Sequence, residues 1–170
     1  IYTVPIEGGT PTRITEGMAF DATPRYSPDG SKLVFVSDRS GGENLWTLDL
    51  ATGDTTQLTK GNDNAWVSPD WTPDGEYIVA SKGETRLGVV KLWIGHVEGG
   101  SGIQLHGEPD NLKTVGAAVS PDGRWIVFWS ARSIFSTRAL NRQPSAVRTS
   151  SSWYTPVKTV DGGVVRTSQR

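Results

Sequence analysis

The sixteen residues YSPDGSKLVFVSDRSG, positions 26–41, join a turn signal, an apolar run and a polar loop. Proline fixes φ, and the Asp29–Gly30 pair supplies the positive φ that a tight β-turn requires. The run that follows, residues 33–37, is rich in β-branched and aromatic side chains and does not alternate with polar residues. Such a run is typical of a strand that is covered on both faces. The stretch therefore predicts a hairpin whose second strand is buried between two layers.

The same tetrapeptide pattern occurs three times, with prolines 45 and then 48 residues apart. Each copy precedes a short apolar run: LVFVS at 33–37, YIVAS at 77–81 and WIVFWS at 125–130. We predict structural turns at all three copies, formed by Pro28, Asp29, Gly30, Pro73, Asp74, Gly75, Pro121, Asp122 and Gly123. Because the acid recurs at a fixed turn position, we interpret these aspartates as turn residues and not as catalytic carboxylates.

A second hairpin pattern repeats out of phase with the first. LWTLDLATGDTTQLT (45–59) aligns without gaps to YTVPIEGGTPTRIT (2–15), and LWIGHVEGGSGIQL (92–105) is a looser copy. In residues 45–50 the pattern predicts an amphipathic strand, with Trp46, Leu48 and Leu50 on one face and Thr47 and Asp49 on the other. A glycine turn and a more polar strand follow. One unit thus holds four strands at a period of about 45 residues, which is typical of a β-propeller blade.

The segment FDATPRYSPDGSKLVFVSDRSGGENLWTLDLATGDTTQLT (20–59) resembles a blade of the TolB-like propellers. Residues 1–15 and 91–105 are most similar to the version that accompanies bacterial amidohydrolases. Blades of this kind also occur in tricorn-type proteases and prolyl-oligopeptidase relatives, so the resemblance implies a fold and leaves the role open. It also implies a periplasmic or other extracytoplasmic location. The second unit departs from the family pattern where GETRLGVV (83–90) replaces the S-x-R-x-G loop, and the third departs after Ser130.

We therefore predict an all-β propeller of TolB-like blades in residues 1–131. The predicted parts are an outer half-blade 1–15, a blade 16–59, a blade 61–105 and an inner half-blade 114–130. These make three blades at most, whereas a closed ring typically has four to eight. Two chains could form a six-bladed ring by C2 symmetry, each lending its N-terminal hairpin to the other's third blade. Alternatively, the chain is a fragment of a longer propeller.

Residues 132–170 form a basic tail rich in serine and arginine. The net charge is −7 over residues 1–130 (10 Lys/Arg, 17 Asp/Glu) and +6 over residues 131–170 (7 Lys/Arg, one acid). The pattern at 157–167 predicts a hairpin that could complete the third blade within the same chain, which would leave residues 1–15 unpaired. A shifted reading frame is another explanation of the abrupt change in composition.

The sequence contains no recognisable catalytic or metal-binding set. It has no cysteine, and its two histidines, His96 and His106, lack metal-ligand spacing. The nucleophile elbow, the phosphate-binding loops and the histidine motif that an amidohydrolase needs are not found. We therefore predict no catalytic residues, no metal and no cofactor. The net charge of −1 gives no reason to expect nucleic acid, no apolar stretch is long enough to span a membrane, and residues 1–9 do not resemble a signal peptide.

Polar residues before the innermost strands are the best candidates for binding at a propeller rim or channel. We name Asp21, Asp63 and Trp66, with strand-start capping as the simpler explanation of the two acids. The predicted function is a non-catalytic module for protein–protein interaction or scaffolding, bound to a protein partner or an attached domain and forming a homo-oligomer. The alternative is the accessory propeller of an amidohydrolase or peptidase, acting as a gate or an oligomerisation platform. A small-ligand receptor is a third option.

Overall fold

A computed structural model describes residues 1–106, 112–132 and 157–158, and every regular element in these ranges is a β-strand. The strands are β1 (Tyr2–Thr3), β2 (Thr12–Arg13), β3 (Asp21–Tyr26), β4 (Lys32–Ser37), β5 (Asn44–Asp49), β6 (Thr55–Gln57), β7 (Ala65–Trp71), β8 (Tyr77–Gly83), β9 (Val90–His96), β10 (Ile103–His106), β11 (Leu112–Val119), β12 (Trp125–Arg132) and β13 (Val157–Lys158).

The strands form antiparallel sheets in chain order. β3–β6 make a first four-stranded sheet, β7–β10 make a second, and β11, β12 and β13 make a third. We call these the first, second and third blades. β1 and β2 form a separate N-terminal hairpin. The predicted all-β fold of four-stranded units is thus confirmed, while the predicted blade bounds and the number of blades in a closed ring stay predictions.

The third strand of the third blade is described at two residues. There Lys158 of β13 faces Trp125 of β12, and Val157 faces Ile126. In the first blade the corresponding pairing runs over the full length of β4, from Lys32 to Ser37. The remainder of the predicted hairpin at 157–167, and most of the predicted tail at 132–170, lie outside the described residues.

The sheets stack face to face in the order N-terminal hairpin, first blade, second blade, third blade. This stack is called the arc below. Three apolar clusters join its layers: Leu33, Phe35 and Leu48 with Ile1 and Ile14; Val34, Val36 and Leu45 with Trp66, Trp71, Ile78 and Ala80; and Val79 and Leu92 with Ala117, Ile126 and Phe128. The core therefore lies between blades, as burial of the flat faces of each sheet requires.

The second strand of the first blade is buried on both faces. Leu33 to Val36 are at most 3% exposed, with alternate residues directed to opposite neighbours in the arc. The predicted amphipathic character of β5 is wrong, because Thr47 is buried like Leu48. The polar side of this strand does not face water, since Leu45 on that side packs against the second blade.

The three Pro-Asp-Gly turns share one hydrogen-bonding scheme. In the first, the Ser27 hydroxyl donates to Asp29 Oδ1 at 2.6 Å and the Ser31 backbone N–H donates to the same oxygen at 3.0 Å. These bonds lower the pKa of Asp29 to about 2. Equivalent bonds lower the pKa of Asp74 and Asp122. The glycines that follow have φ near 70°, at 72°, 74° and 69° for Gly30, Gly75 and Gly123.

The innermost strand of each blade is bulged at the same position, five residues before the turn proline. The residues there are Thr23, Ser68 and Gly116, with φ of 51°, 52° and 67°. The register shifts beside each of them. A left-handed conformation costs a residue with a Cβ roughly 1–2 kcal/mol. At Gly116 a Cβ would also lie 2.8 Å from the ring of Trp129.

We expect serine and glycine exchanges at this shared bulge position to have opposite effects on stability in the second and third blades. We expect Ser68→Gly to raise the free energy of unfolding by up to about 1 kcal/mol, because glycine relieves the left-handed strain. We expect Gly116→Ser to lower it by about 2–4 kcal/mol, because the strain is joined by a clash with Trp129. Equilibrium denaturation of both variants measures this.

Gly53→Ser is the matched control for Gly116→Ser. Gly53 also has a positive φ, 79°, but a Cβ there would meet no described atom within 4 Å. A loss in Gly116→Ser no greater than in Gly53→Ser would contradict the proposed clash.

Candidate functional site

The rim described here is the end of the blades where β3 and β7 begin and β4 and β8 end. In the first blade the rim contains an ion pair, in which Arg39 Nη2 lies 2.8 Å from Asp21 Oδ1. Arg39 Nε also donates to the Ser37 hydroxyl at 2.9 Å. The Arg39 guanidinium lies over the rings of Phe35 and Trp46, 5.1 and 5.2 Å from their centroids. The S-x-R part of the sequence pattern therefore folds back onto the start of the innermost strand.

Two opposing effects set the protonation of Asp21. Its side chain is only 5% exposed, and this burial tends to raise the carboxyl pKa. Hydrogen bonds from Ser37 and Arg39 outweigh burial, so that the pKa lies below its usual value. A further hydrogen bond from Thr15, in the segment before β3, acts in the same direction, so the carboxylate is held ionised inside the rim.

The second blade replaces the ion pair by a cation between aromatic rings. Lys82 Nζ lies 5.4 Å from the Trp66 ring centroid and 5.0 Å from that of Trp93. Trp93 faces Ala80 in β8 as Trp46 faces Phe35 in β4, so the two tryptophans hold the same place in their blades. Both blades therefore cover this tryptophan with a cation, although the cations come from different repeat positions.

The loop 84–89, which carries the departure from the family pattern, joins three blades. Arg86 Nε is 3.1 Å from Glu43 Oε1 of the first blade, and its guanidinium lies 4.8 Å from the ring centroid of Phe20. Lys113 of the third blade donates from Nζ to the Arg86 carbonyl at 2.6 Å. The loop is therefore anchored across the rim, and we call it the rim loop.

A groove of about 810 Å³ lies between the rim loop and the outer strands of the second blade. Leu87, at the tip of the loop, is 75% exposed beside it. The charged and polar side chains of its lining include Asp63, Lys82, Glu84, Thr85, Lys91 and Gln104, together with Trp93. The groove thus combines an aromatic wall, an exposed aliphatic side chain and charges of both signs.

The structure does not bring the three predicted binding residues together. Asp63 is exposed and lines the groove. Asp21 is enclosed in the ion pair with Arg39, and Trp66 is 7% exposed in the cluster between the first and second blades. A binding role for each of them stays a prediction. Arg86, which anchors the rim loop, and Leu87, which lines the groove, were not singled out by the sequence, although the departure at 83–90 marked their position.

The remaining features are possible metal ligands, the two histidines and membrane-spanning helices, each within the part of the chain that the structure describes. Among the side chains described in residues 1–105 and 112–131, no group of three or more acids, histidines or cysteines could hold a metal ion. His96 Nδ1 accepts the Glu98 backbone N–H at 3.2 Å, and its ring meets Tyr77 edge-on at 5.1 Å. The side chain of His106 lies outside the described parts. Over the same parts of the chain, no helix has the length and apolar character needed to cross a bilayer.

Stacked four-stranded sheets with a repeated Pro-Asp-Gly turn define a β-propeller repeat protein, and comparison with known proteins identifies which kind. Residues 1–105 match the TolB beta propeller domain, and the chain belongs to that family. The predicted TolB-like identity is confirmed.

The chain is also similar in sequence or structure to individual known proteins. The chain is 25% identical to the structure of a putative TolB from Agrobacterium tumefaciens, at a TM-score of 0.69, over 98% of this chain and 55% of that one. It is 32% identical to an uncharacterized protein of Agrobacterium fabrum over 59% of this chain and 33% of the relative. It is 28% identical to the uncharacterized peptidase YuxL of Bacillus subtilis over 75% of this chain and 24% of the peptidase. The chain thus spans a third or less of the length of these two relatives.

The Asp21–Arg39 pair can be tested by a double-mutant cycle of Asp21→Asn and Arg39→Met. Because both charges are largely shielded, we expect Arg39→Met to lower the free energy of unfolding by about 2–3 kcal/mol at pH 7. We expect the double variant to lose less than the sum of the single variants, by about 1 kcal/mol or more. Denaturation curves of the four proteins give the coupling.

The coupling free energy between Asp21 and Arg39, measured with the same variants, should depend on pH. The folded-state pKa of Asp21 is lowered, so its contribution is present above the unfolded-state value near pH 4 and is lost as the pH falls through the folded-state value. We therefore expect the coupling to vanish in acid. A coupling that is absent at pH 7, or unchanged at pH 2–3, would contradict the ion pair.

Proposed function

We propose that the chain is a non-catalytic propeller module that binds a protein partner or supports an attached domain through its rim. The observation that carries this proposal is the anchored rim loop. Arg86 is held by Glu43 and Phe20, and Leu87 is presented to solvent at its tip. An exposed aliphatic residue beside a groove with charged edges has the composition of a protein-binding surface.

Anchoring of the loop favours binding. A loop that is already ordered loses less conformational entropy when it binds, so more of the contact energy contributes to affinity. Contacts from Arg86 to the first blade and from Lys113 to the rim loop provide this order. A partner that covers Leu87 would also meet Asp63, Glu84, Lys82 and Lys91 along the groove, which favours a partner segment with side chains of both charge signs.

A second candidate is an accessory propeller of an amidohydrolase or peptidase, serving as its gate or oligomerisation platform. The similarity to an uncharacterized peptidase, of which this chain covers a quarter, supports this alternative. The two candidates differ in the partner, which in the second is a catalytic domain.

We also propose that the scaffold is a homo-oligomer. This is supported by exposed aromatic side chains at both ends of the arc, Tyr26 of the first blade at 58% and Trp129 of the third at 51%, whereas Trp71, at the position equivalent to Tyr26, is 7% exposed. A second chain could cover both.

Site-specific photo-crosslinking tests the rim. A photoreactive amino acid replaces Leu87 in the full chain, expressed in its native cell, and replaces Asp54 of an exposed outer turn as the control. We expect a discrete adduct with a partner polypeptide from position 87 only. Adding Arg86→Met, which frees the loop, should lower its yield at least about fivefold, the effect of roughly 1 kcal/mol.

Equal adducts from positions 87 and 54, or a yield that Arg86→Met does not change, would contradict the rim as the binding surface. Hydrolytic turnover of peptide or amide substrates by the purified chain would contradict the non-catalytic role. An adduct with a hydrolase domain would favour the accessory propeller.

A further inference from the structure

We propose that a cleft between the first and second blades, at the end opposite the rim, binds a small organic cation that donates hydrogen bonds, of the guanidinium or primary ammonium class. Its volume of about 540 Å³ is within the usual range of small-molecule sites. It lies where β3 and β7 end and β4 and β8 begin. We call it the turn cleft. The proposal goes beyond the function proposed for the rim and does not rest on it.

Two neighbouring blades build the turn cleft. The first blade contributes its Pro-Asp-Gly turn, at Asp29, and the side of β5 and β6 that is directed to the second blade. The second blade contributes Trp71, its own turn at Asp74, and Val97 and Glu98 after β9. All the lining residues lie between positions 27 and 98, so the cleft is formed entirely within the described residues.

The lining of the turn cleft is acidic. It holds three carboxylates, those of Asp29, Asp74 and Glu98, and one ammonium, that of Lys32. Hydrogen bonds within the two turns, first from the hydroxyl before each proline, lower the pKa of Asp29 to about 2 and also lower that of Asp74. Both carboxylates are therefore ionised at neutral pH, and the excess of negative charge favours a cation.

Part of this carboxylate surface is open to a ligand. Asp74 accepts its turn hydrogen bonds, from the Thr72 hydroxyl and the Glu76 backbone N–H, at Oδ1, which leaves Oδ2 available. The carboxylate of Glu98 forms no ion pair and no hydrogen bond with any described residue. Carboxylates bond more strongly to charged donors than to neutral ones. A cation with N–H groups therefore fits this lining better than a cation without them.

A buried hydroxyl gives independent evidence for a ligand. Thr47 of β5 is 9% exposed and lines the turn cleft, and its side chain makes no hydrogen bond with any described residue. Buried hydroxyls normally have a partner, because their burial without one costs free energy. Thr56 of β6 faces Thr47 across the strands and lines the cleft beside it. The two hydroxyls can accept hydrogen bonds from the cation.

The second blade shows that the fold does not require these threonines. Ile94 holds in β9 the place that Thr47 holds in β5, and its cross-strand partner is Ile103 where that of Thr47 is Thr56. Ile94 packs on the apolar cluster between the second and third blades. An apolar side chain thus fits this position between two blades. The first blade instead has two hydroxyls there, beside the acidic turns.

The apolar part of the lining suits a short hydrocarbon stem. Trp71, Pro73 and Val97 line the cleft together with the carboxylates. Guanidinium and primary ammonium groups commonly occur on alkyl stems, which cover apolar surface while the charged group meets polar partners. A ligand of this kind therefore matches both parts of the turn cleft.

Titration of the isotope-labelled full chain, followed by amide chemical shifts at constant ionic strength, tests the site. The probes are n-butylguanidinium and n-butylammonium. We expect saturable shifts at Thr47, Thr56, Val97 and Glu98, with a dissociation constant of about 1–10 mM for such small ligands. Tetramethylammonium has the same charge and no donor, and it should bind at least about tenfold more weakly.

Two variants test the assigned contacts. Thr47→Val removes the hydroxyl at nearly constant shape, and Glu98→Gln removes an exposed charge that has no partner in the described protein. Each should weaken n-butylguanidinium about threefold to tenfold. Neither should lower the melting temperature, because neither group is bonded within the fold. Glu16→Gln, which removes an exposed acid in the segment before β3, is the matched control and should leave the affinity unchanged.

The absence of saturable shifts at the turn cleft with both probes would overturn the proposal. Equal affinity for tetramethylammonium, or losses in Thr47→Val and Glu98→Gln no greater than in Glu16→Gln, would overturn it as well. The blocked peptide acetyl-glycyl-arginyl-glycinamide distinguishes the source of the cation. Binding tighter than that of n-butylguanidinium would assign it to an arginine of a peptide, and equal or weaker binding to a free small molecule. Crosslinks from Leu87 at the rim do not depend on any of these outcomes.

Discussion

Stacking of one sheet on the next is the constraint on which the rest of this structure depends. Val34 and Val79, at the centres of the first and second blades, are fully buried, and in each case the covering residues belong to the next blade. A single four-stranded blade cannot cover its own two faces. As in other repeat proteins, stability then resides in contacts between neighbouring repeats. The same constraint explains why Tyr26 and Trp129, at the two ends, are exposed while their equivalents are buried.

Local chemistry allowed much of the fold to be predicted from the sequence. The Asp-Gly turns and apolar runs act within a few residues, so they indicated the inner hairpins correctly, and the glycine turns indicated the outer ones. The alternation of Thr47 with Trp46 and Leu48 predicted a strand with one solvent-exposed face. That prediction was wrong, because Thr47 is buried. When a sheet is packed between two other sheets, its polar side chains are buried as well as its apolar ones. Nothing in the sequence marks the left-handed backbone of Thr23 and Ser68, which only the repeated bulge explains.

The candidate site was less predictable because its contacts are distant in sequence. Asp63 was named from its place before a strand, and it does line the groove. The tie between Arg86 and Glu43 joins residues 43 positions apart in different blades, and no local pattern indicates it. The loss of the S-x-R-x-G loop in the second blade was visible in the sequence. That this loop contacts the first and third blades could be seen only in the folded structure.

The interblade account is tested most directly by hydrogen exchange of the full chain with and without Trp71→Ala. Trp71 belongs to the second blade and packs on Val34 and Val36 of the first. The account predicts that the amides of β4 and β8 open with similar free energies, and that Trp71→Ala lowers both together by about 3–5 kcal/mol or to the limit of global unfolding. Loss of protection in β8 with β4 unchanged would show that the blades are stable independently and would contradict the account.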